Sequence, residues 1–243
     1  MKVVNVLSGF ALGLLITTST VKADNNKDIV EVKGSSSGLG GFSYRPPMRG
    51  APAARIGGGT RGVGNATLEL VVLAPDHTGL TTKEQPTLYW YASEPVPAKL
   101  EVTLINDESI DPELEEIVAT PGHAGIQSIN LAKTGAKLVP GMEYRWFVSV
   151  VADPGQRSND VIASGTIQRI KLNDELKAEI AGANEHTLAG IYAKEGVWYD
   201  AIDSLTRMIE KSPGDSVLQQ QRTALLEQVG LQVVANYTKA QAQ

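Results

Sequence analysis

Between Thr67 and Ile170 the hydrophobic and polar positions alternate with a period of two, in seven runs of strand length. The runs are Leu68 to Leu73, Thr87 to Tyr91, Lys99 to Ile105, Leu114 to Val118, Ile126 to Leu131, Met142 to Val151 and Val161 to Ile170. Alternation of that length predicts strands with one face to bury, and the regular spacing suits two packed sheets. The separators are rich in Pro, Gly, Asn and Asp, such as Pro121-Gly122, Pro140-Gly141 and Asp153-Pro154-Gly155, which favour turns. In the longest run Tyr144, Trp146, Val148 and Val150 alternate with Glu143, Arg145 and Ser149. Leu100, Val102 and Leu104 alternate with Glu101 and Thr103, and Trp90 shares a strand face with Leu88. These apolar positions are the predicted core.

After Ile170 the period changes to about 3.6 residues, the repeat of an amphipathic helix. Asn173 is placed to cap a short helix carrying Leu176 and Ile180. From Thr187 to Pro213, the residues Leu188, Ala189, Tyr192, Ala201, Leu205 and Pro213 fall at offsets that resemble a single tetratricopeptide repeat, with Gly196 supplying the turn between two helices. A third helix starts at Asp215 and ends at Gly230. Leu138-x-Pro140-x-x-x-Tyr144, just before the longest strand, resembles the tyrosine corner of fibronectin type III and immunoglobulin-like sandwiches. The expected fold is therefore β plus α, a seven-stranded immunoglobulin-like antiparallel β-sandwich over residues 66–171 followed by a tetratricopeptide-like helical hairpin with a third helix over residues 172–231. Residues 232–243 read as a C-terminal tail.

One repeat cannot bury its own apolar stripe, because stacked repeats normally cover one another. Trp198, Ile202, Leu205 and Ile209 therefore need another surface. The third helix, the outer face of the sandwich and a separate protein are the candidates, and docking within the chain is favoured because large open apolar patches are uncommon.

Residues 1–23 resemble a cleavable secretory signal, with Lys2, an uncharged apolar run from Val3 to Ile16, and Val21-Lys22-Ala23 as a small-x-small cleavage site. A retained N-terminal anchor is the alternative. Losing Lys2 and Lys22 takes the formal charge from −5 to −7, which gives no general attraction for nucleic acid. No integral membrane segment is expected after cleavage. The chain has no Cys, so neither a disulfide nor a thiolate metal site can form. Residues 24–65 are rich in Gly, Ser, Pro and Arg without an apolar period, and read as a flexible arm.

No constellation for catalysis emerges. Gly34-x-Ser36-x-Gly38 lacks the strand and helix of a nucleophile elbow, and Gly57-x-Gly59-x-x-Gly62 precedes a strand where a dinucleotide motif needs a helix. His77, His123 and His186 have no ligand spacing, and the acidic positions from Asp107 to Glu116 lack the glycine and oxygen pattern of a calcium loop. A non-enzymatic protein with no cofactor is expected. Asp153, Arg157 and Asp160 share one connection between two strands and read either as a recognition loop or as a hairpin held by its own Asp–Arg pair.

The chain resembles the bacterial, largely cyanobacterial, domain-of-unknown-function family 928 between about Gly57 and Leu231. The resemblance rests on Gly57-Gly58-Gly59-Thr60-Arg61-Gly62, Gly79-Leu80-Thr81-Thr82, Tyr144-Arg145-Trp146, Asp153-Pro154-x-x-Arg157-Ser158-x-Asp160-Val161, Gly165-x-Ile167-Gln168-Arg169 and Tyr192-Ala193-x-x-Gly196-x-Trp198-Tyr199-Asp200-Ala201. It implies an exported protein with no assigned activity, often found beside repeat-containing or protease-like signalling proteins. It also implies a lost disulfide: family members carry Cys near the positions of Val63 or Gly64 and of Ala152, which should then lie side by side.

The expected function is an exported protein–protein interaction module in the periplasm or at the cell surface, with an unidentified protein partner. Its candidate interaction residues are Tyr192, Trp198, Tyr199, Asp153, Arg157 and Asp160; Tyr144, Trp146, Trp90, Leu138, Gly196 and Pro213 are structural. The alternative is a glycan-binding module stacking sugars on Tyr89, Tyr91 and Phe147, and a hydrolase is the remote one.

Overall fold

The computed structural model describes residues 42–47, 56–58, 68–96, 98–106, 108, 111–119 and 122–241. The signal segment, most of the arm and the Val63–Gly64 half of the lost-disulfide expectation lie outside the described residues.

The seven predicted strands all form, as β2 (Glu69–Val72), β4 (Thr87–Ala92), β5 (Lys99–Asn106), β6 (Leu114–Val118), β7 (Gly125–Asn130), β8 (Glu143–Val151) and β9 (Val161–Arg169). Two further strands bring the described total to nine rather than seven. They are β1 (Ile56–Gly58), inside the stretch expected to be a flexible arm, and β3 (Gly79–Thr81), in the connection between the first two predicted runs. Both are three residues long and glycine-containing, too short for alternation to register, and they exist because a neighbour supplies hydrogen bonds. β1 pairs antiparallel with β2, while β3 pairs parallel with β9.

The strands make a four-stranded sheet in the order β1-β2-β4-β7 and a five-stranded sheet in the order β3-β9-β8-β5-β6. Leu70, Val72, Leu88 and Trp90 from the first join Val102, Leu104, Trp146 and Val148 from the second in one hydrophobic cluster. The predicted core positions are thus buried, with Trp90 at 1% exposure and Trp146 at none. The predicted corner also forms, since the backbone N–H of Val139 donates to the Tyr144 hydroxyl at 3.0 Å beside the buried Leu138.

Five helices follow: α1 (Asp174–Gly182), α2 (Glu185–Lys194), α3 (Trp198–Lys211), α4 (Ser216–Gln228) and α5 (Gln232–Gln241). Side-chain caps start three of them, where Asn173 accepts from Leu176 N, Asn184 from Thr187 N, and Asp215 from Val217 and Leu218 N. α5 occupies the stretch expected to be a tail, and Val234, Ala235 and Thr238 are its buried side. Its hydrophobic pattern is only two turns long and rich in Gln and Ala, so packing rather than periodicity reveals it.

The helix at the centre is α3. Ten of its fourteen residues are buried, from Trp198 to Ile209, because it packs on α2, α4, β3 and β4 together. Before it, Gly196 takes a left-handed φ of 72°, and a Cβ there would lie 2.6 Å from the Arg45 carbonyl oxygen. That close approach belongs to a strap formed by residues 42–47. Tyr44 is buried at 7% exposure, its backbone N–H donates to Gln228 at 2.8 Å, and Arg45 N donates to the Ala193 carbonyl at 3.0 Å. The Tyr44 ring meets Trp198 edge-on and stacks on His77, whose Nε2 lies 2.8 Å from the Tyr44 hydroxyl. This part of the arm is therefore ordered by contacts with α2, α4 and the turn after β2.

Candidate functional site

The aromatic residues expected to meet a partner on the helical element face inward. Trp198 has no exposed surface, Tyr199 1% and Tyr192 8%. The Trp198 indole N–H donates to the Leu73 carbonyl at 2.8 Å. Tyr199 reaches between the sheets, donating to the Thr166 carbonyl at 2.9 Å and accepting from Trp146 Nε1 at 2.8 Å. Burial pushes the Tyr199 phenol far above its ordinary range, so it stays a neutral hydrogen-bonding group. An interaction surface on these three rings is thereby corrected: they form the internal joint between helices and sheets.

Two carboxylates on α3 complete the joint. Asp200 accepts from the backbone N–H and hydroxyl of Thr82 at 2.9 and 3.0 Å. Asp203 accepts from the Tyr89 hydroxyl at 2.8 Å and from Lys83 Nζ at 2.5 Å. Burial raises the Asp200 pKa against the opposing pull of Lys83. The sequence signal for this docking was the apolar stripe of Trp198, Ile202, Leu205 and Ile209, whereas the inward-facing Asp200 and Asp203 carried none.

Tyr89 and Tyr91, the proposed sugar platforms, are also covered. Their exposures are 4% and 6%, and the Tyr91 ring lies 5.0 Å from Tyr237 of α5. Their faces are spent on protein contacts, so stacking on a sugar is not open to them. Phe147 is half-buried on the other sheet.

The connection from β8 to β9 resolves into two parts. Asp153 accepts from Gly155 N at 2.8 Å, an Asx-type turn bond, and is otherwise exposed. Arg157 holds Glu101 on β5 through Nη2 at 2.6 Å and Asp160 through Nε at 2.7 Å, while Lys99 reaches the same glutamate at 2.6 Å. Hydrogen bonds from Arg157 and then Lys99 hold the Glu101 carboxyl below the usual carboxylate range. Arg157 and Asp160 thus act as a clasp folding the loop onto the sheet, and Asp153 stands apart from them.

That clasp borders the outer face of the five-stranded sheet. Register places Ile117 of β6, Glu101 of β5, Ser149 of β8 and Ile162 of β9 in one row across the strands. The next row holds Glu115, Thr103, Phe147 and Ser164. Ile117 is 62% exposed and Ile162 48%, at opposite ends of the first row. Between them Glu101 and Ser149 are buried, at 7% and 8%, with the glutamate held by Arg157 and Lys99, so the row presents two apolar ends with a charged clasp between them and an acidic edge strand. Edge strand β6 carries Glu115 and Glu116, charges that discourage strand addition.

Among the described residues no group of three His, Cys, Asp or Glu side chains is placed to hold a metal, and no helix is long and apolar enough to cross a membrane. Gly57 and Gly58, from the dinucleotide-like string, lie in β1 rather than at a helix start.

The family described as Domain of Unknown Function (DUF928) matches residues 56–238. No curated protein matches. Among solved structures the chain has a likeness to one described as a multi-domain immunophilin from Arabidopsis thaliana, at 10% identity and a TM-score of 0.22, covering 82% of this chain and 99% of that one. A score so low assigns neither fold nor function.

Proposed function

Since the chain belongs to the domain-of-unknown-function 928 family, whose name carries no activity, we propose from its surfaces that it is an exported, non-enzymatic protein-interaction module. One observation carries this reading. Helices cover Tyr89 and Tyr91 on the outer face of the four-stranded sheet, whereas on the five-stranded sheet Ile117 and Ile162 stay open at the two ends of their row. The partner surface is therefore that open face with the Arg157 clasp beside it, displaced from the helical aromatics.

The finer architectural reading is an immunoglobulin-like sandwich joined to a tetratricopeptide-like hairpin. Support for the first comes from the sheet orders and the Val139–Tyr144 bond. Support for the second comes from fully buried Ala189 and Ala201 at the contact of α2 with α3, and from Pro213 just beyond α3. Export to the periplasm or surface rests on the leader-like residues 1–23.

The test is crosslinked affinity capture from native cells, comparing the parent with an Ile117→Glu, Ile162→Glu double variant of matched melting temperature. Capture of a specific protein by the parent and its loss in the variant is the expected result. Equal recovery by both, or no specific recovery by either, overturns the proposal.

A further inference from the structure

A second feature lies on the opposite side of the molecule, where the four-stranded sheet meets α3, α4 and α5. Tyr89, Ile126, Thr206, Glu210, Arg222 and Tyr237 line a pocket there of about 230 Å³. Arg222, on α4, is the only cationic residue in its lining. The cations Lys83, Arg157, Arg169, Lys211 and Lys239 each reach a carboxylate, but the Arg222 side chain makes no ion pair or hydrogen bond among the described residues. Its Nε is fully buried and unpartnered. On a neighbouring wall Thr206, 4% exposed, has a buried hydroxyl that is also unpartnered. Burial lowers the Arg222 pKa, although the nearby Glu210, Tyr237 and Tyr89 side chains act the other way.

Arg222 is only partly exposed, and its buried Nε–H has no partner; a guanidinium stays charged in proteins, so an anion entering the pocket would supply the missing acceptor. The shape of the donor group selects which anion: a planar fork matches a planar carboxylate with two parallel N–H donors. One cation facing the Glu210 carboxylate is poorly suited to a doubly charged phosphate. Ile126 and the tyrosine rings offer walls for a short carbon chain rather than for water alone.

We propose that this pocket is a carboxylate-binding site in which Arg222 grips the carboxylate of a small organic acid or of a polypeptide, and Thr206 contributes a hydroxyl donor. The site lies apart from the open sheet face, so it stands whether or not that face binds protein.

The experiment is a titration of the purified full chain, following the Arg222 Nε–H signal by nitrogen-15 NMR. The probes are butyrate, its neutral isostere butyramide, inorganic phosphate, N-acetyl-aspartate amide, and N-acetyl-alanine with a free C-terminal carboxylate. Saturable movement of the Arg222 signal with butyrate or a peptide carboxylate, none with butyramide, and affinity for phosphate weaker by about tenfold or more is the expected pattern. Peptide probes binding about tenfold tighter than butyrate point to a polypeptide source, and the reverse to a free acid. Should Arg222→Gln fail to fold, Glu210→Gln at the exposed rim serves instead, and removing its repulsion should tighten carboxylate binding. No saturable shift with any carboxylate, an equal shift with butyramide, or unchanged carboxylate binding in Arg222→Gln, read there from the backbone amide signals of Thr206 and Tyr237, overturns the proposal.

Discussion

The indole N–H of Trp146, deep between the sheets, donates to the hydroxyl of Tyr199 on α3 at 2.8 Å. A core residue of the β layer is thus satisfied only by a helical residue fifty-three positions later. Tyr199→Phe leaves that buried N–H without a partner, at a cost of about 1–3 kcal/mol. Urea unfolding followed by tryptophan fluorescence should show the loss; a change below about 0.5 kcal/mol would mean the bond contributes little.

Trp198 tests whether sheets and helices share one unfolding transition. Truncation to Ala should cost about 3–5 kcal/mol, since it removes a fully buried ring and orphans the Leu73 carbonyl. Far-UV and near-UV dichroism should lose signal together within each protein, at a lower temperature in the variant than in the parent. Two separated transitions in the parent would show instead that the helices unfold independently.

Gly79 is predicted to be intolerant of any side chain. A Cβ there would sit 2.5 Å from Cε2 of Tyr199 and 3.1 Å from Cδ of Pro75. The Tyr199 ring is tied by its hydroxyl at both a donor and an acceptor, so it cannot swing aside. Gly79→Ala should therefore destabilise by about 1–3 kcal/mol. Gly122→Ala, where a Cβ meets nothing within 4 Å, is the matched control and should be close to neutral by thermal melting.

Acid should release the clasp on the open face. The Glu101 pKa is depressed in the folded protein, so its pairing with Arg157 and Lys99 stabilises fully above the ordinary glutamate value of about 4.3. The contribution is lost as pH falls through the depressed value. Urea midpoints of the parent and Glu101→Gln should differ most near neutrality, begin to approach one another below about pH 4.3, and converge only once the pH has fallen through the depressed value. A difference independent of pH would assign the effect of the substitution to packing.

Much of this architecture was legible because the informative signals were local. Val102, Val148 and Trp146 alternate visibly with polar neighbours, and Asn173 and Asp215 announce helix starts with their own side chains. What escaped was held by distant partners. β3 is three residues that become a strand through Ile167, Gln168 and Arg169 of β9, and the order of Tyr44 depends on His77, Gln228 and Trp198. The site assignments failed in one direction: large aromatics were read as contact residues when their hydroxyl and indole groups were already committed to Leu73, Thr166 and Asp203. The Arg222 pocket had no sequence signal, since its lining comes from β4, β7, α3, α4 and α5 together.

The strap of residues 42–47 has a mechanical consequence. Its hydrogen bonds go to Ala193 and Gln228, and its ring is wedged between His77 and Trp198. Tension on the chain ahead of Phe42 would be taken up at the seam where helices and sheets meet, before it loads a strand end. If the protein is tethered through its N-terminal side, pulling would first strip out Tyr44 and uncover one edge of Trp198, so the seam would report force before the β layers do.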